Sequence, residues 1–188
     1  MPNLKKFLRS QTSITKLSIY LDSQDQELIQ VILQEMPELI DLKLYCLNTT
    51  NYCLDGIPQN HRIKSLKIES PPEEITNLAS LLPNLECLIL PYSVKCTSEL
   101  LESINQKLTK LKKLCIGNWS QEMKIMCLPS VVEVSLFVSQ FKEVEQMPYI
   151  RQFLDLNRQV QILHLSENMI GKIDLSQYEN IKIIKYFA

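Results

Sequence analysis

The chain has 188 residues, a net charge of −1, 45% hydrophobic residues and 22% charged residues. This balance suits one soluble folded domain and leaves no basic excess for general binding to nucleic acid or to a membrane surface. No apolar run approaches the ~18 residues of a membrane helix, and residues 1–10 lack the apolar stretch of a secretory signal.

In chain order, Leu4, Phe7 and Leu8 suggest a short first helix. A triplet of the form Leu-x-x-Leu-x-Leu follows, and Ile or Val often replaces Leu in it. It occurs eight times: Ile14/Leu17/Ile19, Leu39/Leu42/Leu44, Ile63/Leu66/Ile68, Leu85/Leu88/Leu90, Leu111/Leu114/Ile116, Val131/Val134/Leu136, Val160/Leu163/Leu165 and Ile181/Ile184/Tyr186. The first positions are 20 to 29 residues apart. Each triplet predicts a strand, near residues 14–20, 39–45, 63–69, 85–91, 111–117, 131–137, 160–166 and 181–187.

The connections also carry signals. Over residues 23–36, Ser23 and Gln26 suggest a capping box, Leu28, Val31, Ile32 and Met36 share a helical face, and Pro37 ends the helix. Residues 45–59 read as an irregular loop. Ile75, Leu78, Leu81 and Leu82 give a second inter-strand helix, ended by Pro83. Leu100, Leu101, Ile104 and Leu108 give a third over residues 97–108. Residues 118–128 are again irregular. A last helix is expected over residues 144–156, with Pro148 setting its start or a kink. Phe-Leu pairs at Phe7-Leu8 and Phe153-Leu154 each begin seven residues before a strand triplet, a shared helix exit.

The period resembles that of leucine-rich repeats. The seventh repeat, Val160-x-x-Leu163-x-Leu165-x-x-Asn168-x-Ile170, matches that pattern in full. Asp22, Leu47, Pro71, Ser93, Trp119 and Ser139 stand where the pattern has Asn168, so irregular turns are expected. The expected fold is α/β. It is a single domain, residues 1–188, of about eight irregular repeats forming a leucine-rich-repeat solenoid (horseshoe). A parallel sheet lines the concave face, and irregular helices and loops lie on the convex face. The eighth strand has no closing helix after it, which predicts a missing cap or a self-association surface there.

Side chains between the inward positions point to the concave face. They include Tyr20, Lys43, Tyr45, Lys67, Glu69, Lys113, Phe137 and His164, with Tyr92 and Trp119 on the rim. Aromatic residues on a polar surface are common in interaction hot spots. They also serve as satellite core under loops. The lysines of this face read either as part of a mildly basic, aromatic groove for an acidic peptide or as an ordinary solvated face. Both readings stand at this point.

Catalytic signals are missing. Three glycines build no phosphate loop or dinucleotide fingerprint, and no Gly-x-Ser-x-Gly elbow occurs. His164 reads either as a surface histidine or as a base paired with Asp174 or a thiol. No ligand cluster at metal spacing is present. The expectation is a non-enzyme with no cofactor and no metal, binding a protein or peptide and neither nucleic acid nor membrane. Six dispersed cysteines read as free thiols of a reducing compartment, so an intracellular, cytoplasmic or nuclear place is expected. The sequons at Asn48 and Asn118 then read as chance matches.

The irregular repeats, with the phrase Phe-Leu-x-Ser-Gln-x-Ser-Ile-x-x-Leu-x-Ile over residues 7–19, resemble the repeat regions of F-box/leucine-rich-repeat proteins. The resemblance spans the repeats and not the F-box, a helical module that precedes them in that family. It implies substrate recognition for a ubiquitin ligase. The alternative is a stand-alone scaffold or inhibitor with no ligase link.

Overall fold

The computed structural model describes residues 2–21, 26–46, 54, 56–70, 72–119, 124–136 and 143–186. Phe137, Phe187, the Ser23 cap and most of the expected loop over residues 45–59 lie outside them. Eight parallel strands form one sheet in sequence order: β1 (Lys16–Leu21), β2 (Asp41–Cys46), β3 (Ser65–Glu69), β4 (Cys87–Cys96), β5 (Lys113–Trp119), β6 (Glu133–Leu136), β7 (Ile162–Ser166) and β8 (Lys182–Tyr186). Helix α1 (Pro2–Ser10) precedes β1, and α2 (Gln26–Glu35), α3 (Pro72–Leu81), α4 (Ser98–Lys107), α5 (Glu143–Leu156) and α6 (Glu167–Ile170) lie between successive strands. The fold is α/β with an open, all-parallel sheet.

Each strand begins after the first apolar position of its triplet. A three-residue step cannot belong to a strand of period two. The first apolar residue instead closes a tight turn: Leu39, Leu85, Leu111, Val131, Val160 and Ile181 each donate a backbone N–H to the carbonyl three residues earlier. The next coil is then stitched to the previous one. The carbonyls of Thr15, Ile40, Lys64, Glu86, Lys112 and Val132 each accept two successive N–H groups from the following strand's entry, at 2.8–3.1 Å.

The second and third apolar positions then fall in register. Leu17, Leu42, Leu66, Leu88, Leu114, Val134 and Leu163 stand side by side, and all but Leu17 are buried. They form one apolar core with Leu28, Ile29 and Ile32 of α2, Ile75 and Leu78 of α3, Leu100, Leu101 and Ile104 of α4, and Phe153 and Leu154 of α5. Fully burying each such side chain contributes about 1.5–3 kcal/mol.

Several expectations need correction. Tyr45 belongs to β2, as the strand expected near 39–45 has it, whereas Asn118 and Trp119, expected in a loop, belong to β5. α5 runs through Pro148 and starts five residues before it, so the proline does not set the start. Phe7 is 54% exposed; α1 packs through Leu8 and, in part, Leu4, one turn apart on the same face. Ion pairs Lys5–Glu27 and Arg9–Glu35 tie α1 to α2. In β8, Ile183 pairs with Leu163, where the triplet predicts Ile184. The turn at Ile181 keeps the regular spacing, so the pairing slips by one residue between that turn and the strand.

Two buried asparagines replace apolar residues at the turn. Asn157 is 0% exposed; its Oδ1 accepts from the Leu128 N–H (2.6 Å), and its Nδ2 donates to the carbonyls of Phe153 (2.8 Å) and Met126 (3.1 Å). Asn60 donates to the Leu33 carbonyl (2.6 Å) and accepts from the N–H groups of Arg62 and Ile63. Each side chain ties backbone groups of its own coil to backbone groups of the coil before it.

Candidate protein-binding face

The alternation that buries the leucines turns the other strand residues to the open face of the sheet. Lys16, Ser18 and Tyr20 of β1 lie in register with Asp41, Lys43 and Tyr45 of β2, and these with Ser65, Lys67 and Glu69 of β3. The register stacks Tyr20 on Tyr45, with ring centroids 4.7 Å apart and planes 20° apart. Tyr20 is 65% exposed, while Tyr45 is half-buried. The Lys67 ammonium sits 5.4 Å from the Tyr45 ring centroid, a cation–π distance. Tyr20, Lys43, Tyr45, Lys67 and Glu69 thus form one patch.

That patch is bounded by a feature the triplet pattern does not announce. β4 continues past Leu90, and its pairing with β5 resumes at Lys95↔Asn118, so residues 91–94 face the single residue Gly117. Lys113 and Cys115 alternate with the buried Leu114 and Ile116, so Gly117 would turn a side chain to the open face. A Cβ placed there would lie 2.3 Å from the Tyr92 nitrogen and 2.5 Å from the Pro91 carbonyl carbon. The Pro91–Tyr92 backbone therefore crosses the open face above Gly117, and only a glycine allows that approach. Tyr92 is 49% exposed at this arm. Trp119 ends β5 in register with Cys96.

Beyond the arm the face has a different character. Glu133 Oε1 takes both Lys113 Nζ (2.5 Å) and His164 Nε2 (2.8 Å). His164 thus pairs with Glu133, and not with Asp174 or a thiol. Burial works to raise the Glu133 carboxyl, but Lys113 and His164 outweigh it and the net direction is down. Burial likewise pulls Lys113 down, and Glu133 reverses that. Lys113 and His164 therefore belong to a self-neutralised cluster, separate from the tyrosine patch.

The neighbouring thiols are poor nucleophiles. Burial, with Cys115 adding to it, pushes Cys87 up to about 11; burial also raises Cys115 and takes Cys96 up to about 12. A thiol needs a lowered pKa to react as thiolate near neutrality. Among the described residues no group of three or more His, Cys, Asp or Glu is placed to hold a metal ion. Likewise, no helix among them is long and apolar enough to cross a membrane.

No protein-family model matches the chain, and no curated protein matches it either.

Sequence reasoning missed the Glu133 bridge, the arm over Gly117 and the two asparagines. The asparagines left a signal: Asn60 and Asn157 sit three residues before Ile63 and Val160, where Met36, Leu82, Leu108 and Leu128 occupy the matching place.

Proposed function

We propose that this chain is a leucine-rich-repeat module, its sheet lining the concave side of a horseshoe, that recognises a protein or peptide partner intracellularly. The proposed role is the substrate-recognition region of an F-box-type ubiquitin-ligase receptor. The observation that carries the binding reading is the exposed Tyr20–Tyr45 stack on the open sheet face. Two rings held by register alone, one of them mostly in water, place aromatic area where a partner can cover it at little conformational cost. In-register coils and the uncovered face support the repeat reading.

The test is quantitative affinity purification from the native cell type with wild type and a Tyr20→Ala/Tyr45→Ala variant. A partner lost only from the folded variant supports binding through this face, and a co-purifying cullin-type adaptor supports the ligase role. Partners without any adaptor favour a stand-alone scaffold. An unchanged partner set removes the open face from consideration.

A further inference from the structure

We propose that Lys43 and Lys67 seat the carboxylates of an acidic, extended peptide segment; this rests on the open face being the binding surface. The two lysines lie directly opposite each other on β2 and β3. Directly opposed like charges weaken a sheet, so a free chain gains nothing from this pair. Their row reads Ser18, Lys43, Lys67, Ile89 and contains no acid. Asp41 stands opposite Lys16, and Glu69 stands opposite Tyr45. Among the described residues, neither Lys43 nor Lys67 has a carboxylate within ion-pair distance.

Direct opposition in the register sets this pair apart. Lys113, by comparison, has Glu133, and Lys64 and Lys112 share Glu86. These register-opposed cations, without a carboxylate partner among the described residues, occur beside the stacked tyrosines, where an incoming anion would find them. Adjacent strands lie ~4.8 Å apart, and alternate side chains of an extended peptide recur every ~6.6 Å, so two lysine stems reach one or two carboxylates of a crossing segment. The tyrosine stack offers a flat floor for that segment's apolar stems, and the Pro91–Tyr92 arm bounds the patch on its far side.

The probe is acetyl-tetraglutamate amide, titrated into the isotope-labelled full chain and followed by amide shifts and by calorimetry, with tetraglutamine and a four-residue oligothymidylate alongside. The expected result is shifts confined to residues 16–20, 41–45 and 65–69 and weakened by salt, with no response to tetraglutamine. Lys43→Glu would lower affinity at least about tenfold, by about 1.4 kcal/mol, while leaving the melting temperature equal or higher, because it removes a like-charge contact. Binding to Lys43→Glu and to Lys67→Glu as tight as to the wild type would overturn the proposal, as would shifts centred on Lys64 and Lys112. Tighter binding of the oligothymidylate would overturn it in favour of a nucleic-acid surface. If a cellular partner depends on Tyr45 but survives Lys43→Glu, this seat fails and the open-face reading stands.

Discussion

Replacing Gly117 with alanine tests the most constrained contact in the molecule. The added Cβ would lie 2.3 Å from the Tyr92 nitrogen, 2.5 Å from the Pro91 carbonyl carbon and 2.6 Å from the Tyr92 Cα. Comfortable separations between non-bonded heavy atoms are about 3.5–4.0 Å, so the arm must retreat by roughly 1 Å. All three opposing atoms are backbone, and no rotamer change relieves the clash. Overpacking of this kind costs about 1–3 kcal/mol, and the upper half is expected because the Lys95↔Asn118 and Cys96↔Trp119 pairings lie just beyond the crossing. For a chain of this size about 2–3 kcal/mol lowers the melting temperature by roughly 4–12 °C. The assay is urea unfolding combined with hydrogen exchange at residues 92–96 and 117–119. Gly171→Ala is the control: its backbone is helical (φ −74°, ψ −10°) and no atom lies within 4 Å of its would-be Cβ. That substitution should be neutral or stabilise by about 0.4–1 kcal/mol. A Gly117→Ala loss below about 0.5 kcal/mol, the range of ordinary surface substitutions, with protection retained, would refute the crossing of Pro91–Tyr92 over β5.

Asn157→Ala leaves the Leu128 N–H and the Met126 and Phe153 carbonyls without this partner in the interior, and should cost about 2–4 kcal/mol in urea unfolding. The Glu86 carboxyl, held between Lys112 and Lys64, is lowered from 4.5 to about 2. A depressed carboxylate contributes stability above the unfolded value and loses it as pH falls through the folded one. Glu86→Gln should therefore flatten the acid loss of stability between about pH 4.5 and 2 and leave neutral-pH curves closer together in high salt, read by thermal melts across pH. Among Cys87, Cys96, Cys115 and Cys127, native thiol labelling should modify exposed Cys127 first and buried Cys96 only on unfolding, read by peptide mass mapping.

The strand positions were legible because one column of apolar side chains must stay in register to remain dry. A slip of one residue would turn Leu42 or Leu66 to water, so the sequence pattern and the pairing cannot diverge in the interior of the sheet. They do diverge at β8, an edge strand among the described residues, where Ile183 pairs where Ile184 was expected. The arm of β4 had a readable trace, since buried Leu88, Leu90, Val94 and Cys96 all keep even spacing. Its crossing over Gly117 depended on β5 and could not be read from β4 itself. The Glu133–His164 contact joins residues 31 apart in sequence, which only the register of β6 and β7 brings together. Tyr20, Tyr45 and Lys67 were legible as one patch for the opposite reason: register alone sets their distances.

The two halves of the open face differ in how their charges are met, and this bears on which half a partner uses. Around Glu133, the Lys113 ammonium and the His164 ring already converge on one carboxylate oxygen. An incoming acid there would have to displace Glu133, and removing one partner from a partly buried pair costs more than the pair returns. At Lys43 and Lys67 no carboxylate among the described residues lies within ion-pair distance, so no such displacement is needed there. The proposed acidic segment would therefore gain most at β2 and β3, and least at β5 to β7. The same asymmetry separates stability from binding. Glu133→Gln should destabilise the chain and leave tetraglutamate affinity within about twofold, whereas Lys67→Glu should do the reverse. Calorimetric titration and thermal melts on the same two variants decide this, and parallel losses in both would show that the face works as one continuous surface.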